Sequence, residues 1–149
     1  MKTIYSIGTS EKSAEEFFNL LKESNITKII DIRRHNTSQL AGFSKKDDLR
    51  YFLKEICDAE YEHETSIATP ETLLNKYKKD HDWGYYEKEF NKLLRDPSLK
   101  KTYDRILEDK HTICLLCSEN KPDKCHRRLI LEYIKNNIQD IKIIHLMKK

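Results

Sequence analysis

Residues 112 to 128 read TICLLCSENKPDKCHRR. Thr112 to Cys117 is an unbroken run of strand length, without the polar alternation of a half-exposed strand. Such a run fits a parallel strand whose two faces are both covered by helices. The bend from Ser118 to Pro122 follows, and then Asp123, a good N-cap residue type. Leu129, Ile130, Tyr133 and Ile134 next fall at helical spacing, and Ile141 to Leu146 closes the chain as a last strand.

The pattern repeats toward the N-terminus. Thr3 to Gly8 and Lys28 to Ile32 are short β-branched runs. Between them Ala14, Phe17, Phe18 and Leu21 form a helical stripe, opened by the capping box of Ser13 and Glu16. Ser44 can cap a second helix carrying Leu49, Phe52, Leu53 and Ile56, and Glu60 to Glu64 alternates as a third strand. A helical excursion over about 69–110 follows, with Thr69-Pro70, the set Trp83, Tyr86, Phe90 and Leu94, and Asp96-Pro97 marking three segments. The expected fold is α/β: a mainly parallel, doubly wound sheet of about five strands, helices on both faces and a helical insertion before strand four. With 149 residues, 38% of them hydrophobic, residues 1–149 are read as one domain.

Charged residues are 36% of the chain, yet 28 basic against 25 acidic side chains leave a net charge of only +3. That is far from a dedicated nucleic-acid coat. No signal-peptide pattern opens the chain and no run approaches the roughly twenty apolar residues of a membrane span, so a cytoplasmic protein with no membrane partner is expected. The four cysteines are read as reduced thiols, because a chain with a real core needs no staples. Nothing indicates an oligomeric state.

In a doubly wound sheet, ligands bind outside the carboxyl ends of the strands. Gly8-Thr9-Ser10, Asp31 with Arg33 and Arg34, His63, and Cys117-Ser118-Glu119 all fall at strand ends and should share one crevice. With Asp123 as N-cap, Cys125 and His126 occupy the first turn of the last helix. There the helix dipole, His126 and Arg127 favour a thiolate at Cys125. His126 and Arg127 should point along the buried side, while Arg128 pairs with Glu132 on the surface.

Each residue also has a plain use. Arg33 and Arg127 are either an anion fork or structural partners of Asp31 and Glu119. Cys57, Cys114 and even Cys117 fit as small buried hydrophobes. Gly8 lets the backbone approach a ligand or merely a neighbouring element, and Ser10 is a loop hydroxyl. Glu119 suits a general acid or base, or an orienting partner of Arg127. Zinc at Cys117, Cys125 and His126, with His63 nearby, is the metal alternative. It is disfavoured because adjacent helical residues diverge by about 100°. No cofactor is otherwise expected. Trp83, Tyr85, Tyr86 and Phe90 with Lys76, Lys78, Lys79 and Lys88 are core with a solvated face, or else a surface for single strands.

Taken together, Ile7-Gly8-Thr9-Ser10, Asp31-Ile32-Arg33, Tyr61-Glu62-His63, and Leu116-Cys117-Ser118-Glu119 followed by Pro122 and Cys125-His126-Arg127 resemble domain-of-unknown-function family 488. The most specific part is C-x-E-x-x-P-x-x-C-H-R, matched from Cys117 to Arg127. The chain reads as a short, divergent member. Thr9 stands where many members have histidine, Asn36 and Gln39 replace a usual proline and second arginine, and Ile67 to Leu74 replaces a longer glycine-containing segment. The resemblance implies an α/β fold and a shared site, with nucleic-acid metabolism a loose association.

The functional expectation is a crevice for a small anionic, phosphate-bearing ligand, a nucleotide or nucleic-acid end. Arg33 and Arg127 hold the anion, and Gly8, Ser10, Asp31, His63 and Cys117 line the site. Glu119, Cys125 and His126 carry hydrolysis or group transfer. The alternative is a non-catalytic nucleic-acid-binding module.

Overall fold

The capping box at Ser13 forms: Ser13 Oγ accepts from the Glu16 amide at 3.1 Å, and Glu16 Oε1 accepts from the Ser13 amide at 2.8 Å. It opens helix α1 (Ala14–Glu23), whose Phe17, Phe18, Leu20 and Leu21 are buried. The computed structural model describes residues 1–37 and 42–148; Gln39 lies outside them. The described strands are β1 (Thr3–Gly8), β2 (Lys28–Asp31), β3 (Glu60–His63), β4 (Ile113–Cys117) and β5 (Lys142–His145). They form one sheet in the order β3-β2-β4-β1-β5, and every neighbouring pair is parallel. The boundaries lie within a residue of those read from the sequence.

Helix α2 (Lys46–Cys57) follows a 3₁₀ turn over Gly42–Ser44. The turn moves Ser44 one residue too early to cap it, and Lys45 takes the N-cap without a side-chain hydrogen bond. The Lys46 amide instead donates to the Asn36 carbonyl at 2.8 Å. The excursion between β3 and β4 contains α3 (Glu71–Asp80), α4 (Trp83–Leu94) and α5 (Lys100–Glu108), and α6 (His126–Asn137) joins β4 to β5.

The run Ile113–Cys117 divides its side chains between two cores. Ile113, Leu115 and Cys117 pack with α3 to α6, while Cys114 and Leu116 pack with Phe17, Phe18, Leu49 and Leu53 of α1 and α2. This period-two division between two apolar layers explains why the strand contains no polar position. Tyr86 and Phe90 belong to the first layer, with Trp83 stacked on Tyr86 at 4.9 Å. Only Tyr85 of that aromatic set is exposed, beneath the Lys76 ammonium at 4.0 Å. The surface for single strands is therefore mostly core. No helix among the described residues is long and apolar enough to cross a membrane.

Neighbouring strands β1 and β4 feed helices on opposite faces of the sheet, α1 and α6. Their carboxyl ends form the topological switch point, where such a sheet splits into a crevice. The loops after these strands are tied together: the Thr9 amide donates to the Cys117 carbonyl at 3.0 Å and the Ser10 amide to the Ser118 carbonyl at 3.0 Å. Gly8 permits this approach. A Cβ there would lie 1.7 Å from the Glu119 carbonyl oxygen, a backbone atom with no freedom to swing aside. Gly8→Ala should therefore cost about 3 kcal/mol by overpacking. Urea unfolding checks this, and a loss below about 0.5 kcal/mol would mean that the loop yields freely.

Candidate functional site

Asp31 and Arg33 meet at the end of β2. Arg33 Nε and a terminal nitrogen donate to the two Asp31 carboxylate oxygens at 2.9 and 2.8 Å, and that terminal nitrogen also reaches the Ser44 carbonyl at 2.8 Å. Asp31 further accepts from the Arg33 amide at 3.1 Å and from Tyr61 Oη at 2.5 Å. Burial, then the bond to Asp31, pushes the Tyr61 phenol up, so it stays a donor. Asn36 Nδ2 completes the group on Tyr61 Oη at 3.1 Å. His63, at the end of β3, bonds the Arg33 carbonyl through Nε2 at 2.7 Å. The bidentate pair neutralises Arg33 and fixes the loop after β2. Arg33 is thereby engaged with Asp31, the structural partner weighed from the sequence.

Arg127 is 0% exposed. Its Nε donates to Ser6 Oγ at 3.0 Å, and its terminal nitrogens donate to the Glu119 carbonyl at 2.6 Å, the Asn120 carbonyl at 3.0 Å and Cys125 Sγ at 3.4 Å. Ser6 Oγ lies 2.5 Å from His145 Nδ1. Burial, then Arg127, holds His145 below the usual imidazole range, so Ser6 donates to a neutral ring. The guanidinium grips the Glu119 backbone, not its carboxylate. Both arginines sit on the carboxyl rim; every guanidinium nitrogen of Arg127 has an acceptor inside the protein, and Arg33 uses Nε and one terminal nitrogen in the same way.

A fully buried cation needs an anion close by. Among the described atoms that Arg127 touches, the Cys125 sulfur is the one ionisable acceptor, and it is bonded in turn to Cys117. The Cys125 thiol donates to Cys117 Sγ at 3.1 Å, and His126 Nδ1 lies 3.6 Å from Cys117 Sγ and 3.9 Å from Cys125 Sγ. The bond from Cys125, helped by His126, holds Cys117 well below the ordinary thiol range. Burial, then Cys117, pushes Cys125 well above it. Burial opposes a charged His126, yet the Cys117 sulfur outweighs it and raises the imidazole. The sulfur pair thus shares one proton and one negative charge beside Arg127. The thiolate expected at Cys125 is therefore a matter for the pair, in which Cys125 donates to Cys117 and accepts from Arg127.

The N-cap is corrected. Cys125, not Asp123, precedes α6, with φ −143° and ψ 141°, and its sulfur accepts from the Arg127 amide at 3.5 Å. Asp123 lies in a preceding turn, where its carbonyl accepts from Arg128 at 2.9 and 3.1 Å. Arg128 also pairs with Glu132 at 2.9 Å, as expected, and with Glu87 at 3.3 Å. Because Cys125 is extended, the helical divergence invoked against a metal does not apply. The donor atoms of Cys117, Cys125 and His126 lie within 4.8 Å of one another.

These three residues are buried at 5%, 2% and 7% exposure. Glu119 is exposed, and partial burial, then Cys117, raises its carboxyl. Ser10 is on the rim, where its hydroxyl donates to the Ser118 carbonyl. Beside this dry cluster lies an open cleft of ≈ 570 Å³, lined by residues that include Ser10, Lys12, Ser13, Arg33, Phe43 and Ser118. Lys12 carries no signal in the sequence beyond its place two residues after Ser10. It is only 9% exposed. Its ammonium donates to Asn120 Oδ1 at 2.6 Å and the Ser10 carbonyl at 3.4 Å.

A parallel α/β protein with an open cleft at its switch point, and sulfur and imidazole sealed beneath the rim, is the class that fold and rim define. The chain belongs to the family described as Domain of unknown function DUF488, whose model matches residues 13–134. The match takes in the Cys117 to Arg127 pattern and leaves β1 and β5 outside. No curated protein and no solved structure matches the chain.

Arg127→Met should destabilise the fold by about 3–5 kcal/mol, since buried carbonyls lose their donors and a buried thiolate its counter-charge. Arg127→Lys should recover only part of this, because one ammonium cannot span the acceptors that a guanidinium fork reaches. Urea unfolding of both variants checks the pair of outcomes. A loss under about 1 kcal/mol for the methionine variant would show that the loop holds itself.

Proposed function

We propose that the switch-point cleft binds a small anionic ligand bearing a phosphate, of nucleotide size or the end of a nucleic acid. The observation that carries this reading is Lys12. It is a nearly buried ammonium on the cleft wall, and its two hydrogen-bond acceptors are neutral. It has no ion-pair partner among the described residues. Glu11 and Glu16 favour the ammonium without pairing with it, and a nearly buried charge so placed still favours an anion at its side. Burial, then Arg127, holds Lys12 below the usual lysine range, which is the signature of a costly burial. A cleft of ≈ 570 Å³ falls within the size range of small-ligand sites.

Ser13 and Ala14, where α1 begins, line the same wall and offer the Ser13 hydroxyl and the Ala14 amide as donors. Arg33 lines the cleft as a pair with Asp31 and shapes it, while Glu11, at the mouth, disfavours highly charged ligands. Of the residues expected to do chemistry, Glu119 alone is exposed. Its carboxyl is not among the groups that line the cleft, so the reading is one of binding and assigns no proton transfer.

Calorimetric titration with inorganic phosphate and with a nucleoside monophosphate tests the reading. Saturable binding should weaken at least about tenfold in Lys12→Met. Affinity should also fall as pH rises through the lowered Lys12 midpoint, because the neutral amine no longer attracts the anion. Absence of saturable binding by the unsubstituted protein at millimolar ligand would sink it.

A further inference from the structure

We propose that Cys117 Sγ, Cys125 Sγ and His126 Nδ1 form a buried site for a thiophilic metal ion of the zinc class. The inference is independent of the cleft and uses none of the residues proposed to hold the anion. Two sulfurs and one imidazole nitrogen are the donor set that selects zinc or a similarly soft ion over magnesium or calcium. No carboxylate takes part in the cluster.

The distances fit a shared ion. With Zn–S near 2.3 Å and Zn–N near 2.0 Å at tetrahedral angles, two ligands should stand about 3.8 Å apart when both are sulfur and about 3.5 Å apart for sulfur and nitrogen. The sulfur to Nδ1 separations are 3.6 and 3.9 Å, and the two sulfurs are 3.1 Å apart. The sulfur pair would open by about 0.7 Å around the ion. Cys125 is extended at the N-cap, so its sulfur is not held to helical spacing.

The surroundings are those of a metal ligand shell. His126 Nε2 lies 2.9 Å from the Ile32 carbonyl, an acceptor, so Nε2 carries the proton and Nδ1 is the nitrogen presented to the sulfurs. Metal-binding histidines are oriented in this way by an outer carbonyl. The Arg127 amide and guanidinium donate to Cys125 Sγ at 3.5 and 3.4 Å, which stabilises a thiolate ligand. Phe90 stands edge-on to the His126 ring at 5.6 Å and fixes its plane. Three protein ligands are the number found where zinc keeps a fourth position for an exchangeable donor. Loading displaces the proton that the sulfur pair shares, so binding weakens in acid.

The test uses the full chain, reduced and stripped of metal, titrated with cobalt(II) as a spectroscopic substitute and then with zinc(II). The expected result is one equivalent bound, with a thiolate-to-cobalt charge-transfer band and tetrahedral ligand-field bands that zinc abolishes. Zinc should also protect two thiols from alkylation and raise the melting temperature. Cys125→Ser and His126→Gln should each weaken binding at least about 100-fold, whereas Cys57→Ser should leave it unchanged. Lack of a charge-transfer band in the unsubstituted protein would overturn the proposal, and that measurement needs no variant to fold. So would full affinity in Cys125→Ser, or a purified protein whose two sulfurs form a disulfide and which, once reduced, takes up neither ion.

Discussion

Everything at the carboxyl rim depends on where Arg127 puts its charge. The bend after β4 contains no glycine, and it turns the Glu119 and Asn120 carbonyls inward, toward the sheet. Buried carbonyls must find donors. One planar guanidinium supplies both, and its Nε reaches across to Ser6 of β1. A lysine has no such fork, which is why this position requires arginine. The solution brings a full positive charge to a place with no exposure, and the protein answers with sulfur. Cys117 and Cys125 lie close enough to share a proton, and His126 stabilises the charge that remains. Loop shape, buried cation, thiolate and imidazole are thus consecutive links of one constraint.

The sheet was legible because burial imposes simple patterns on a strand. Ile113 to Cys117 alternates between two apolar layers, so both must be read as hydrophobic, and only a doubly covered parallel strand asks for that. Ser13 and Glu16 were equally plain, because a capping box is local and its geometry follows from spacing alone. The misread caps share one cause. Asp123 and Ser44 have the right residue types, but their backbones are already committed: the Asp123 carbonyl to Arg128 and the Ser44 carbonyl to Arg33. Those partners come from other parts of the chain or depend on the exact path of the bend. Residue type at one position cannot announce them.

The same distinction separates the rim residues legible in the sequence from Lys12. Strand-end position placed Asp31, Arg33, His63 and Cys117 on the rim, and the start of the last helix placed Arg127 there, because the sheet gathers its carboxyl ends. What each does there is a matter of pairing. Asp31 saturates Arg33, and His63 is held by the Arg33 carbonyl. Lys12 was hidden because a lysine near a helix start is ordinary, and its hydrogen-bond partner Asn120 is distant in sequence. Gly8 was recognised as a point of close approach, but only the fold names the Glu119 carbonyl as what comes close.

Asn120 joins the dry cluster to the cleft. Its carbonyl accepts from Arg127 and its side-chain oxygen accepts from Lys12, so one residue separates two cations. They repel: Arg127 is the leading charge that lowers Lys12, behind burial. An anion in the proposed cleft would lie against Lys12 and also feel Arg127 through a poorly screened interior. The arginine read from the sequence as a direct anion ligand thus has a part to play without touching one, since a charge whose donors are all used still projects its field. A metal ion held by the sulfurs would add positive charge on the same side of Asn120. Filling the buried cluster should then tighten anion binding in the cleft even though the two sites share no ligand atom.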